Sequence, residues 1–276
     1  MKIGQRSNFR IEQLTEIKES GFDCIDYSDF LNVEKQLYQI SDAEFEETMK
    51  EQKRVIDSVG LLVWQAHGPW RYPPRDNDPA EREKWLRCCR RAIRGCALLG
   101  CKYFVIHPLM PFGAVDEDPA LVKSLNLEFF RALCAEGEKN GVVICMENMP
   151  FGGQIYARVA PMLEFIKEVN SPCLKACLDT GHSACLGDSP TDAVYLLGKE
   201  YLATMHVHDN DGTRDQHLEP GRGVIDWDAF RKALADIGFD GTLSIESNVP
   251  KELSDEERAV YPSRIADIAK QLAKDI

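Results

Sequence analysis

Seven side chains with metal-binding or acid/base chemistry stand directly after apolar runs. His67 follows Leu-Leu-Val-Trp-Gln-Ala, His107 follows Tyr-Phe-Val-Ile, and Glu147 follows Val-Val-Ile-Cys-Met. Asp179 follows Leu-Lys-Ala-Cys-Leu, Glu246 follows Thr-Leu-Ser-Ile, and His206 and His208 close a run beginning at Leu202. An ionised carboxylate at the end of an apolar run is costly unless a cation or hydrogen-bond donors compensate it. Few basic residues accompany these run ends, with Lys175 inside its own run and Arg214 and Arg222 in one later stretch. A divalent cation compensates three carboxylates and an imidazole better than scattered arginines do. Mixed oxygen and nitrogen ligands suit one Mn, Mg, Co or Zn ion and argue against a thiolate-type structural zinc.

A lone histidine at such a position is ordinarily a hydrogen-bonded structural residue. Here all six histidines, the other two being His182 and His217, collect at run ends or just beyond them, and none falls in an expected helix. Strand alternation puts His206 and His208 on the same face, with Val207 opposite, so both remain candidates for the metal. His206 is favoured as the ligand and His208 as a substrate contact.

The elements that position these groups are legible as alternation. Short β-rich runs at 2–4, 22–26, 61–66, 103–106, 142–146, 174–178, 202–207 and 242–245 are each followed by a longer stretch of helical period. The helices are expected at 11–20, 42–59, 79–99, 119–140, 159–169, 190–197, 227–237 and 255–274. Ser41 is a cap before Asp42-Ala43-Glu44, and Gly60, Gly100, Gly141 and Gly238 are stop signals. Eight strand-then-helix units predict an α/β fold, a single (β/α)8 TIM barrel spanning residues 1–276, with its chemistry at the C-terminal mouth. A doubly wound open sheet is disfavoured because Gly221-Arg222-Gly223 lies late and lacks a third glycine.

Composition narrows the partners. The 276 residues carry Lys+Arg 33 against Asp+Glu 45, a net charge of −12. An acidic chain without a Lys/Arg block predicts no nucleic-acid partner and no membrane partner, and favours small-molecule chemistry. The start, Met-Lys-Ile-Gly-Gln-Arg, lacks the apolar core of a signal peptide, and no segment runs 18 residues without a charge, which predicts a cytoplasmic protein. Ten cysteines without a C-x-x-C pair read as reduced core fillers. Homo-oligomerisation is left open.

Leu178-Asp179-Thr180-Gly181-His182 is one distinctive motif. The other runs from His206-Val207-His208-Asp209-Asn210-Asp211 through Asp215-Gln216-His217 and Pro220-Gly221-Arg222-Gly223 to Ile225-Asp226-Trp227. With them, essentially the whole chain resembles the xylose isomerase-like TIM barrels, a superfamily of sugar-phosphate isomerases and epimerases, tagatose 3-epimerase, inosose isomerases and dehydratases, and type IV abasic-site endonucleases. The resemblance implies one divalent metal held by Glu147, Asp179, His206 and Glu246, with Glu147 and Glu246 as catalytic acid/base groups. It implies a carbohydrate substrate isomerised or epimerised through a metal-stabilised enediolate. His182, His208, His107, His67, Trp64 and Arg214 are then candidate substrate contacts, with Trp70 and Phe112 as further pocket walls. The endonuclease branch is also resembled. His67, His107, His182, Asp215 and His217 match its additional ligands, which implies a multinuclear, three-zinc site as the alternative, although no basic stripe to track phosphates is read from the sequence. A keto-sugar or keto-inositol dehydratase would use the same enediolate, and a barrel that binds without turnover is the remaining class. For a substrate phosphate, Arg6, Arg71, Arg158, Arg214 and Arg222 are all candidates.

Overall fold

Alternate residues of a strand face opposite ways, so each apolar run presents one side to the helices and the other to the barrel axis. In the computed structural model, which describes residues 1–70, 72, 74–274 and 276, the runs become β1 (Lys2–Ser7), β2 (Cys24–Tyr27), β3 (Leu62–His67), β4 (Tyr103–Ile106), β5 (Val143–Glu147), β6 (Leu174–Asp179), β7 (Leu202–His206) and β8 (Thr242–Ile245). They pair in parallel in the order β7-β6-β5-β4-β3-β2-β1-β8. Val207 closes the ring: its N–H donates to the Ser244 carbonyl at 2.8 Å, and its carbonyl accepts from the Glu246 N–H at 3.1 Å. The result is the (β/α)8 barrel.

The intervening helices are α1 (Ile11–Glu19), α2 (Asp42–Val59), α3 (Pro79–Leu98), α4 (Pro119–Asn140), α5 (Val159–Val169), α6 (Thr180–Cys185), α7 (Pro190–Tyr201), α8 (Trp227–Asp236) and α9 (Asp255–Ala273). Local chemistry sets their ends. Ser41 and Glu44 form a reciprocal capping box at the start of α2, and Gly60 ends it with φ 80°. The short α6 was not expected. Asp179 turns from the end of β6 to accept the His182 N–H, capping α6 and placing His182 inside a helix rather than in a loop. Helix α7 passes the expected end at Leu197, but Gly198, at φ 56°, breaks its regular path.

Outward residues such as Ile144, Met146, Leu178, Met205 and Val207 join the main core beneath the helices. Inward residues Val105, Cys145 and Cys177 form a separate plug with Tyr103, Val143 and Ala203. The same inward alternation, one step further along each strand, delivers His107, Glu147 and Asp179 to the mouth. All ten cysteines are free thiols, most of them buried. No helix of the described residues is long and apolar enough to cross a membrane.

Candidate metal centre and active site

Four strand ends converge on one point. Ligand atoms of Glu147, Asp179, His206 and Glu246 all lie within 4.8 Å of one another. His206 Nδ1 is 2.7 Å from Glu147 Oε1, 3.3 Å from Glu246 Oε2 and 4.0 Å from Asp179 Oδ2. One imidazole N–H serves one acceptor, so three buried carboxylates around it lack a full complement of positive charge. The donor set of three carboxylates and one imidazole suits a divalent ion.

Two further groups flank this centre. Glu147 Oε2 lies 3.3 Å from His67 Nε2 and 3.0 Å from His107 Nε2, and it is buried without a well-formed hydrogen bond. His67 Nδ1–H donates to the Gly68 carbonyl at 2.9 Å, leaving Nε2 to face the carboxylate. On the other side, Asp215 Oδ2 lies 3.1 Å from His217 Nε2 and 3.4 Å from His182 Nε2. Both rings are oriented by backbone: His182 Nδ1–H donates to the Asn148 carbonyl at 2.7 Å and His217 Nδ1–H to the Glu246 carbonyl at 2.8 Å. His208 is not grouped with Glu147, but a ring nitrogen lies within 4.8 Å of ligand atoms of His217 and Glu246. Its Nε2 is 3.0 Å from the Asp179 carboxylate, and its ring stacks on His217 at 4.0 Å. Gly181 makes room for it, since a Cβ there would sit 2.0 Å from His208 Cε1.

The loop after β7 owes its shape to Asp209. Asp209 and Leu218 exchange backbone hydrogen bonds at 2.9 and 2.8 Å, which returns Asp215 and His217 to the mouth. The Asp209 carboxylate accepts from Gly221 N–H, Ile225 N–H and Trp227 Nε1–H at 3.0, 3.3 and 2.9 Å. Gly223 is required by contact: a Cβ there would meet Asn210 O at 2.0 Å. The long sequence motif is thus largely a device for presenting two metal-type ligands.

The electrostatics agree with a demand for positive charge. Burial alone would raise Glu147, but His206 and His107 hold it well below the usual carboxylate range. Glu246 is also opposed by burial, yet His206, His217 and Arg6 bring it down to about 2. Burial disfavours a charged imidazole, and carboxylates overcome it. Glu147 and Glu246 hold His206 well above its ordinary value, Asp179 with Asp215 and Glu147 lifts His182 to about 10, and Asp215 with Glu246 lifts His217 to about 9. At His107 burial wins and the value falls, despite Glu147. A divalent ion competes with the protons on these raised histidines. Metal affinity is therefore expected to rise from pH 6 to pH 8 and to keep rising toward pH 9, as the protons leave. A chelator-competition titration across that range checks this; a flat profile would remove the histidines from the ligand set.

One contributor escaped the sequence reading, and another has a different role from the one expected. Asp26, fully buried in the middle of β2, accepts from His206 Nε2–H at 2.9 Å and from Gln65 Nε2–H at 3.0 Å. Its only signal was a carboxylate within Cys-Ile-Asp-Tyr. Arg6, from β1, pairs with Glu246 Oε1 at 2.9 Å, so it supports a candidate catalytic carboxylate rather than standing ready as a phosphate contact. Arg158 is likewise engaged, with Asp188 and the Leu186 carbonyl. Arg71 lies outside the described residues. Arg214 and Arg222 line a cavity of about 770 Å³ whose wall includes Asp215 and His217.

Trp64 is misplaced by the sequence reading. It contacts Tyr103 at 5.4 Å and lies 5.6 Å from Lys2 Nζ, both residues at the first positions of their strands and so at the end of the barrel opposite the mouth. Trp70 takes the wall position instead, edge-on to His107 at 4.4 Å, while Phe112 packs against the main core. The expected absence of a basic stripe also fails, since α3 carries one along a cavity walled by residues of 33–42 and the end of α4.

A closed parallel barrel with carboxylates and imidazoles gathered at its C-terminal mouth defines the class. The chain belongs to the xylose isomerase-like TIM barrel family, whose sequence profile matches residues 14–265. Within it, an inosose isomerase of Bacillus licheniformis is 28% identical over 170 residues, 59% of this chain and 60% of that protein. A probable endonuclease 4 of Mycoplasma genitalium is 25% identical over 195 residues, 65% of this chain and 64% of the relative. The crystal structure of D-psicose 3-epimerase from Clostridium cellulolyticum H10 superposes over 99% of both chains with a TM-score of 0.79 at 18% identity, a likeness of fold.

Proposed function

We propose that the chain is a cytoplasmic, divalent-metal-dependent isomerase or epimerase of a sugar, keto-sugar or sugar phosphate. The observation that carries this reading is the convergence of Glu147, Asp179, His206 and Glu246 within 4.8 Å. These four residues would hold one Mn, Mg, Co or Zn ion. When bound, the ion polarises the substrate carbonyl and offsets charge developing on its oxygen. Glu147 and Glu246 arrive from strands on different sides of the barrel, and each can take or return the proton on the carbon beside that carbonyl. Proton exchange at both faces gives epimerisation, whereas one carboxylate moving a proton between adjacent carbons gives isomerisation. His182, His208, His107 and His67 hold hydroxyls, Trp70 supplies an apolar wall, and Arg214 closes the pocket beside His217. The inosose isomerase relative and the psicose epimerase fold support the substrate class.

The test is metal analysis followed by ketoses, keto-inositols and their phosphates in D₂O, read by NMR. A substrate is expected to gain deuterium next to its carbonyl. Absence of exchange across the panel with metal bound would end the isomerase reading, and loss of water would mark a dehydratase instead.

A second reading is a metal-dependent phosphodiesterase of the abasic-site endonuclease type. It is favoured by the two flanking groups, Glu147 with His67 and His107, and Asp215 with His182 and His217, which would complete a three-zinc site, and by the endonuclease relative. The net charge of −12 opposes it, so an abasic duplex is expected to remain intact at physiological salt. Robust incision with three bound zinc ions would reverse the order of the two readings.

A further inference from the structure

Helix α3 carries the sequence Lys84-Trp85-Leu86-Arg87-Cys88-Cys89-Arg90-Arg91-Ala92-Ile93-Arg94. Helical spacing puts Lys84, Arg87, Arg91 and Arg94 along one stripe, with Arg90 beside it. The stripe forms one wall of a cavity of about 670 Å³; residues 33–42, which lead into α2, form another, and the end of α4 adds Lys139. Six cationic side chains thus face three lining carboxylates, Glu34, Asp42 and Glu136, in a chain of net charge −12. A local reversal of sign this strong focuses anions into the groove.

The groove has a fixed floor. The Arg91 guanidinium donates to the Ile40 and Ser41 carbonyls at 2.6 and 3.1 Å, pairs with Asp42 at 3.1 Å and lies 4.5 Å from the Phe45 ring centre. Its Nε–H is buried without an acceptor. Arg94 shares the same Asp42 oxygen at 3.3 Å, so that carboxylate is matched twice over. Among the described residues Arg87 pairs with Glu83 alone, an exposed contact that contributes little. Among the described residues Lys84, Arg90 and Lys139 make no ion pair, which leaves their charge available to a ligand.

We propose that this groove binds a small organic molecule carrying two phosphate groups, of the nucleoside diphosphate class. Its volume falls within the roughly 300–1,000 Å³ of small-molecule sites. The cations extend about 15 Å along α3, the rise of ten helical residues, which exceeds the reach of a single phosphate. Val33 and Tyr38 add an apolar wall for an organic ring. The groove lies on the helical shell, whereas the metal-type ligands face the barrel axis, so the two sites are separate.

Calorimetric titration of the metal-loaded protein with ADP and with inorganic pyrophosphate tests this. Saturable binding is expected, weakened at least about tenfold in R87E/R90E with metal content unchanged, while adenosine does not bind. R90A/K139A, which breaks no ion pair, should lose affinity in the same direction. Undiminished ADP binding in both variants would place the anion at the metal centre and overturn the proposal. No ADP or pyrophosphate binding by the wild type would do the same. So would a single-stranded oligonucleotide that binds more tightly than ADP and is lost in the same variants, since the groove would then track a nucleic acid.

Discussion

Replacing Glu246 by Gln is expected to lower turnover at least ~10²-fold while metal content falls less. Glutamine keeps the shape and one oxygen ligand but cannot take a proton from carbon. The position is built for an ionised group: Glu246 is 7% exposed, one oxygen pairs with Arg6 at 2.9 Å and the other lies 3.3 Å from His206. With its pKa drawn down to about 2, it remains a carboxylate throughout the neutral range, so a loss of activity on acidification from alkaline pH would reflect protonation of the raised histidines rather than of Glu246. Wild-type protein should place deuterium beside the carbonyl of a ketose in D₂O, and Glu246→Gln should place far less. Full turnover in the variant would sink the proton-transfer role. The same substitution at Glu147 shows whether one carboxylate or two carry the proton, which separates isomerase from epimerase geometry.

Truncation of Asp26 to Ala is expected to weaken metal binding and activity by about 10- to 100-fold, the usual cost of losing a partner that orients a metal-binding histidine. Asp26 accepts the proton of His206 Nε2, which fixes the tautomer that turns Nδ1 toward Glu147, Glu246 and Asp179. Removing the acceptor strands two buried donors, His206 Nε2–H and Gln65 Nε2–H. Asp26→Asn retains a carbonyl acceptor and should recover part of the loss. Chelator competition on the three proteins should rank the wild type tightest, Asp26→Asn next and Asp26→Ala weakest. An affinity at the wild-type level in Asp26→Ala would make the contact incidental to metal binding.

Much of the barrel was legible because it rests on local periods. The helices at 42–59, 119–140 and 159–169 match the expected bounds; Ser41, Gly60 and Gly141 signal ends in the sequence, and the structure adds Asp118 as a cap and Asn170 as a left-handed end. The period of two also put Glu147, Asp179, His206 and Glu246 at strand exits, and a parallel barrel brings its exits to one mouth. The short α6 was hidden because six residues carry too little pattern to distinguish a turn of helix from a loop.

What the sequence determined by itself is therefore the alternation of strands and helices and the chemistry available at each strand end. The tertiary structure decided which of those groups meet. His206 and His208 share a strand face, yet only His206 joins Glu147, Asp179 and Glu246 in one four-residue group, while His208 packs against Asp179 and His217 with a ring nitrogen within 4.8 Å of a Glu246 oxygen. Trp64 and His67 are three residues apart, yet one closes the bottom of the barrel and the other opens onto the mouth. Asp26 and Arg6 reach the site from β2 and β1, 180 and 240 residues from His206 and Glu246 in sequence. No local period encodes such pairs; strand register and closure of the ring through Val207 and Ile245 set them.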